Sequence, residues 1–240
     1  MEVTFHRFVL AEFNTHRAFS RNSASSRAIP AHKMIKRVVE TPAIPLAWPK
    51  EQSGMQGGES VDEQTAWEAE NVWLDAADAA VLYAQRLVDL GIHKSLANRL
   101  LEPFLWHTVI VTATDYENFF KQRCSPLAQP EIRAVAELMM LEAYDRSTPK
   151  LVHYGEWHTP YVDKEESLSL LDAIAVSVAR CARVSYLTHD GKRDPQEDIN
   201  LYNKLIKADP PHLSPLEHVA TPGNGYMGNF LGWKQWRHFP

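Results

Sequence analysis

Hydrophobic residues recur at helical spacing over the longest patterned stretch of the chain. Between residues 67 and 90 they return every three or four positions, and Gly91 follows as a stop signal. The preceding sequence SVDE at 60–63 has the form of a capping box with Ser60 as the cap. The pattern predicts a helix over about 61–90.

Shorter patterns predict the remaining elements. Residues 3–13 are rich in β-branched and aromatic side chains, which predicts a strand, and prolines and glycines at 41–59 predict a long loop. The apolar run at 104–120 predicts a buried helix, while β-branched residues at 108–112 leave a strand open there. Further helices are predicted at 31–39, 96–101, 129–146, 167–183 and 199–208, and a charged turn at 188–194.

The composition is that of a globular protein. The 240 residues are 45% hydrophobic and 23% charged, and the net charge of −5 argues against a general nucleic-acid binder. The two cysteines, Cys124 and Cys181, provide neither a disulfide framework nor a zinc-binding pattern. The sequence contains no apolar run of membrane-spanning length and no signal peptide. We therefore expect a cytoplasmic protein without a metal, nucleic-acid or membrane partner.

Polar donors are concentrated in one stretch near the N-terminus. Residues 15–27, THRAFSRNSASSR, contain three arginines, a histidine, an asparagine and four serines, but no acidic residue. Arginine side chains and accessible backbone N–H groups suit a phosphate and the polar edge of a nucleotide. A serine-rich surface loop, or an RNA-binding module that uses Phe19, would have a similar composition.

This stretch resembles the signature of the flavin-dependent thymidylate synthases (the ThyX family), Arg-His-Arg-x-x-Ser-x-Asn-x-x-Ser-x-Arg. Thr15 replaces the first arginine. The matching residues are His16, Arg17, Ser20, Asn22, Ser25 and Arg27. Three further parts of the chain are similar to family motifs: ANRLLEP at 97–103, NFFKQR at 118–123 with AQPEI at 128–132, and ARVSY at 182–186 with HLSPLEH at 212–218.

The order of these motifs differs from the usual family layout. There the last two motifs precede the arginine-rich signature, whereas here they follow it, so we expect a circularly permuted single domain over 1–240. The resemblance implies an α+β fold with a twisted, mainly antiparallel sheet flanked by long helices. It also implies a homotetramer whose sites are shared between chains. The expected parts are the signature at 1–40, a helical part at 60–147 and, at 167–222, the segment that usually comes first; 41–59, 148–165 and the tail after 222 match no motif.

The resemblance implies the activity of an FAD-dependent thymidylate synthase. The family converts dUMP to dTMP with a methylene group from methylenetetrahydrofolate and a hydride from FAD, which NADPH reduces again. Arg123 is the implied catalytic residue, since its permanently charged donor fork suits negative charge developing on the pyrimidine. The implied dUMP contacts are Glu12, Ser25, Ser26, Arg27, Arg99 and Arg123, and the implied FAD contacts are His16, Arg17, Asn118, Ser185, His212 and Glu217.

Departures from the family pattern leave other readings open. They are Thr15 and Thr114 in place of arginines, Thr112 in place of an asparagine, Ser26 in place of a glycine and Glu12 in place of a glutamine. A non-catalytic nucleotide- or flavin-binding protein on the same fold is therefore an alternative. A metal-dependent hydrolase would explain the 11 histidines, but no H-x-x-x-H or H-E-x-x-H spacing supports it. Cys124 lies beside Arg123, which would lower the pKa of the thiol, so a cysteine nucleophile also stays open.

Overall fold

Two antiparallel sheets and eight α-helices make up the part of the chain that the computed structural model describes, residues 1–163, 165–186 and 193–239. The first sheet has the order β1 (Glu2–His6), β3 (Trp106–Thr112), β2 (Ser20–Ser23), and the second pairs β4 (Ala220–Met227) with β5 (Phe230–Gln235). The α+β prediction with antiparallel strands is confirmed. The helices are α1 (Leu10–Asn14), α2 (Ala31–Glu40), α3 (Glu63–Asp89), α4 (Lys94–Ala97), α5 (Glu117–Arg123), α6 (Pro130–Leu138), α7 (Leu170–Tyr186) and α8 (Pro195–Lys207).

The central strand β3 is buried on both faces. Val109 and Val111 join a core that contains Phe119 of α5 and Ile132 of α6. Because side chains alternate between the two faces of a strand, Ile110 turns the other way and packs against α7. The prediction of a helix over 104–120 is therefore wrong, and the strand left open at 108–112 forms. A strand covered on both faces has no polar alternation, which makes it resemble a buried helix in sequence.

The long helix α3 confirms the prediction over 61–90, but its cap differs. Asp62, not Ser60, is the N-cap residue, and its carboxylate accepts the backbone N–H of Thr65 at 2.9 Å. Gly91 lies just beyond the helix with φ +76°, a conformation that glycine adopts without strain. Only Ala77 and Ala84 of α3 are fully buried, so much of this helix faces outward.

Several shorter predictions need correction. The strand predicted over 3–13 ends at His6, since the chain turns there and forms α1. The helix predicted over 129–146 changes to a π-helix at Met139–Tyr144. The β4–β5 hairpin in the tail was not predicted. The charged turn predicted at 188–194 lies largely outside the described residues. No helix in the described ranges is both long and apolar enough to span a membrane.

Candidate active site

Arg123 is held at the C-terminal end of α5 by the N-terminal segment. Its Nε donates to Nε2 of His16 at 2.9 Å. Its Nη2 donates to Oγ1 of Thr15 at 3.1 Å and to the carbonyl oxygen of Glu12 at 3.3 Å. Within the described residues, Nη1 has no acceptor and no carboxylate pairs with the guanidinium group. The charge of Arg123 is thus fixed in orientation without being neutralised by an ion pair.

His16 is a neutral partner for this guanidinium group. Burial, together with the smaller effects of the positive charges of Arg123 and Arg21, lowers its pKa from 6.5 to about 4. The ring lies edge-on to Phe119, with centroids 4.8 Å apart. Since Nε2 accepts the hydrogen bond from Arg123, the proton of the neutral ring is on Nδ1.

Arg21 stabilises the turn that carries Thr15 and His16. Its Nη1 donates to the carbonyl oxygens of Asn14 at 3.1 Å and His16 at 3.2 Å, and more weakly to that of Phe13. Carbonyls at the end of a helix lack partners within the helix, so one guanidinium group satisfies several of them. Sequence reasoning missed this residue because position 21 is variable in the signature.

Two residues that match the signature connect secondary structure elements. Asn22 is buried and donates to the carbonyl oxygen of Cys181 in α7 at 2.7 Å, and it accepts a long bond from Ser214 Oγ at 3.4 Å. Ser20 Oγ accepts from the side-chain amides of Gln235 at 2.8 Å and Asn229 at 3.0 Å. β2 is therefore joined both to α7 and to the β4–β5 hairpin.

Glu217 lies in a 3₁₀ helix, Ser214–His218, that packs against β2. Its carboxylate accepts from Nη1 of Arg237 at 2.6 Å. Burial lowers the pKa of Arg21, and the negative charge of Glu217 partly opposes this lowering. Neither Arg237 nor Arg21 was implied by the family motifs. The carboxylate that the resemblance assigns to FAD thus already has a cationic partner in the folded chain.

Three of the implied nucleotide contacts differ in accessibility. Ser26 is 1% exposed, and its hydroxyl has no hydrogen-bond partner among the described residues. Asn98 holds the carbonyl oxygens of Ser26 at 2.6 Å and Ile29 at 3.0 Å, which fixes this loop next to Arg99. Arg27 is exposed, and Arg99 is half exposed and pairs with Glu102 at 2.8 Å. The arginines, rather than the Ser26 hydroxyl, are thus the accessible donors for a phosphate.

The remaining implied contacts are not brought into the Arg123 cluster by side-chain bonds. Arg17, Asn118 and His212 are exposed. Glu12 lies beside Arg123, but its Oε2 is shielded from solvent and lacks a hydrogen-bond partner in the described part of the chain. The side chain of Ser185 lies outside the described residues. Ser25 accepts the backbone N–H of Arg27 at 3.3 Å.

A cavity of about 800 Å³ opens beside α5 and the π-helix. Tyr116, Phe120 and Tyr144 supply aromatic walls, and the first two stack with centroids 5.8 Å apart. These walls fit the ring system of a flavin, which stacks on aromatic faces. Three carboxylates and one lysine also line the cavity, so its charge disfavours a diphosphate. The lining charged residues are Asp115, Glu117, Lys121 and Asp145.

Cys124 does not have the environment of a nucleophile. Burial raises the pKa of its thiol and the charge of Glu137 adds to this, while Arg133 opposes it. The expectation that Arg123 lowers this pKa is therefore wrong. The guanidinium group of Arg123 is turned toward His16 and Thr15 instead. A thiol with a raised pKa is protonated at neutral pH and is a weak nucleophile.

Acidification is expected to destabilise the folded protein. Burial is the main cause that lowers the pKa of His16 and His158 to about 4 and that of His107 and His218 to about 3. Unfolding restores values near 6.5, so the unfolded chain binds more protons between about pH 6.5 and 3. The stability that these four neutral histidines contribute is complete above pH 6.5 and is lost as the pH falls. Calorimetry should show a falling Tm from pH 7 to pH 4.5; a constant Tm would contradict the prediction.

Comparison with known proteins identifies the family. A family model described as thymidylate synthase complementing protein matches residues 1–149, which is 149 of 240 residues. No curated protein matches the chain. A crystal structure of the UMP/dUMP methylase PolB from Streptomyces cacaoi bound with 5-Br UMP is similar at 20% identity over 57% of this chain and 65% of that one, with a TM-score of 0.46. A structure of the same enzyme bound with 5-Br dUMP is similar at 21% identity over 57% of this chain and 62% of that one, with a TM-score of 0.43. The chain thus spans less than two thirds of either PolB chain. The matched residues include the arginine-rich signature, Arg99 and Arg123, and the chain belongs to the family of thymidylate synthase complementing proteins.

Proposed function

We propose that the protein is a flavin-dependent thymidylate synthase that converts dUMP to dTMP. Family membership supports this reaction class. The observation that carries the proposal is the oriented guanidinium group of Arg123, which has one unoccupied donor edge and no carboxylate partner among the residues described. Methylenetetrahydrofolate is the proposed carbon donor and NADPH the proposed reductant.

Arg123 stabilises negative charge on a pyrimidine oxygen in the polarised, enolate-like form of the ring, and the electron density of this form makes C5 the nucleophile. The bonds from Nε and Nη2 to the N-terminal segment leave Nη1 available for a pyrimidine oxygen. A donor that is already oriented needs no reorganisation during the reaction, and such donors act most strongly where water is excluded. No cysteine nucleophile is needed for this step.

His16 must be neutral for Arg123 to keep this orientation. A protonated ring would carry a hydrogen on both nitrogens and could not accept the bond from Nε. The lowered pKa of His16 ensures the neutral form at physiological pH. The neighbouring Thr15 hydroxyl donates to the carbonyl oxygen of Glu12 at 2.6 Å while it accepts from Arg123. Thr15 therefore takes a positioning role in place of the usual arginine.

The phosphate of dUMP is bound by Arg27 and Arg99 together with Ser25. Arg99 is half exposed. Its partner Glu102 is also bound by Arg7 at 2.9 Å, so Glu102 competes only in part with a phosphate for the Arg99 guanidinium group. When bound, FAD would supply the hydride that reduces the transferred methylene group. The aromatic cavity formed by Tyr116, Phe120 and Tyr144 accepts its ring system, and Asn118 is exposed on the same helix α5.

We further propose that the sites are completed by other chains of a homotetramer. Arg17, Asn118 and His212 are exposed in the single chain, where a second chain and the flavin can meet them. Helix α3 carries exposed apolar side chains, which is typical of a surface that another protein covers. They include Trp67, Val72, Leu82 and Tyr83.

The domain is proposed to be circularly permuted. The bonds from Asn22 to Cys181 and from Ser214 to Asn22 support this, because they join the signature to the 167–222 segment, which usually comes first. A site depends on spatial arrangement rather than on the order of its parts in the sequence.

The proposed function is tested by an assay with purified protein. With dUMP, methylenetetrahydrofolate, FAD and NADPH, we expect dTMP to form and the flavin absorbance to bleach when NADPH is added without oxygen. Omission of any one component should stop turnover. Binding of dUMP and FAD without product would instead support the non-catalytic binding protein.

Replacing Cys124 with alanine is expected to leave turnover within about twofold of the wild type. The thiol has a raised pKa and no reactive partner in the proposed mechanism. The measurement is kcat for dTMP formation together with flavin content. Loss of activity in a variant that still binds flavin would favour a cysteine nucleophile.

Replacing Thr15 with valine is expected to lower kcat about tenfold. The change removes the hydroxyl that accepts from Arg123, and one bond to a charged group contributes about 1.5 kcal/mol. Thr15→Ser keeps the hydroxyl and serves as the matched control with near wild-type kcat. If the valine and serine variants have equal kcat, Thr15 does not position Arg123.

A further inference from the structure

A second cavity, of about 710 Å³, contains none of the residues implied for dUMP or FAD. It lies between the 41–59 loop and the beginning of α6. We call it the Trp48 cleft, after its walls Trp48, Trp73 and Glu131. Its volume is in the range of sites that bind small molecules.

The aromatic walls of the Trp48 cleft are held in place. The indole N–H of Trp73 donates to the carbonyl oxygen of Ala43 at 2.9 Å. Trp48 lies edge-on to Trp73, with centroids 6.3 Å apart. The loop around Trp48 is closed by backbone bonds from Val61 to Trp48 at 3.0 Å and from Lys50 to Glu59 at 2.8 Å. Rings fixed in this way offer flat surfaces to a ligand at little entropic cost.

Glu131 borders the cleft, and its carboxylate is buried. It is 3% exposed, and its Oε1 accepts the backbone N–H of Leu46 at 2.8 Å. Its Oε2 is shielded from water and has no partner among the residues that the structure describes. A shielded acceptor without a donor is unfavourable. No lysine, arginine or histidine lines the cleft, so the protein itself brings no cation to it there.

These features select the chemistry of a ligand. Tryptophan faces favour a flat ring. A carboxylate favours two adjacent N–H donors, because each of its oxygens accepts one hydrogen bond. Oε1 retains a second lone pair beside its bond to Leu46, so both oxygens can take part. An anion would be repelled by the carboxylate, and a hydrocarbon ring would leave Oε2 without a donor.

We propose that the Trp48 cleft binds a flat heterocycle with a 2-aminopyrimidine-type edge, in which a ring N–H and an exocyclic amino group lie side by side. The ring stacks on the face of one tryptophan and the two N–H groups donate to Glu131. Guanine and pterin carry this edge, whereas adenine does not. Met55, Gln56 and Gly57 line the cleft and are exposed, and admission of the ring to Oε2 requires this part of the wall to move.

The test is calorimetric titration of the full-length protein with guanosine, pterin and adenosine. We expect guanosine or pterin to bind at least tenfold more tightly than adenosine, which has a ring of similar size without the donor pair. The tighter of these two ligands shows whether the cleft takes a purine or a pterin. If neither guanosine nor pterin binds more tightly than adenosine, or if neither binds at millimolar concentration, the proposal is overturned.

Two variants locate the binding in the cleft. Glu131→Gln keeps the Oε1 acceptor for Leu46 but replaces the second acceptor by a donor, so we expect at least a tenfold loss of affinity for the ring. Glu137→Gln, on the same helix and paired with Arg133 at its surface, is the matched control and should bind as the wild type. Equal affinity of the two variants would refute the role of Glu131. If Glu131→Gln does not fold, Trp48→Leu is used in its place. We expect the same tenfold loss of affinity, and an affinity equal to that of Glu137→Gln would refute the proposed site.

Discussion

Replacing Arg123 with lysine is expected to lower kcat for dTMP formation by about 100- to 1,000-fold. Loss of one oriented donor to a developing charge typically has this effect. A lysine retains the charge, but its single ammonium group cannot bond His16 and Thr15 and also present a donor to the pyrimidine. Steady-state kinetics with saturating dUMP and NADPH is the measurement.

Arg133→Lys is the matched control for this experiment. Arg133 lies on the neighbouring helix α6 and pairs with Glu137 at the surface, so its change should leave kcat within about twofold. Tm and flavin content of both variants separate a catalytic effect from unfolding. If Arg123→Lys retains more than about a tenth of wild-type kcat, Arg123 is not the residue that stabilises the pyrimidine charge.

Replacing Asp198 with alanine is expected to lower the free energy of unfolding by about 3–5 kcal/mol, because it removes one of the two carboxylates that pair with the buried Arg180. Asp198 is 2% exposed and accepts from Nε of Arg180 at 2.9 Å and from Nε of Arg183 at 2.8 Å. Glu166 binds the other side of the Arg180 guanidinium group through both oxygens. Arg180, Arg183 and Asp198 join α7 to α8, and Glu166 adds the segment before α7.

Thermal unfolding should show this as a fall in Tm of roughly 6–20 °C for a chain of this size. Glu142→Gln, which removes an exposed pair with Arg146, is the control and is expected to change stability by less than about 1 kcal/mol. Similar Tm values for the two variants would mean that the ion pairs of Asp198 contribute no more than a surface pair.

Local patterns predicted those features that depend on neighbours in the sequence. The periodic apolar residues of α3 and the glycine after it predicted the longest helix almost to its ends, since helix formation is governed by spacing along the chain. The cap was misassigned to Ser60 because Asp62, two residues later, also has a suitable side chain. Arg123 was identified from its motif, but its partners were not.

The sequence by itself determined the family, through the signature at 15–27 and the Arg99 and Arg123 segments, and it determined the α+β class. Tertiary structure decided that 106–112 is a strand, because burial by α5 and α6 on one face and α7 on the other removed the polar alternation. It also decided that Thr15 and His16 orient Arg123, since residues about 107 positions apart meet only when α1 packs beside α5. Burial also leaves Oε2 of Glu131 without a hydrogen-bond donor among the described residues, and no pattern along the sequence predicts this.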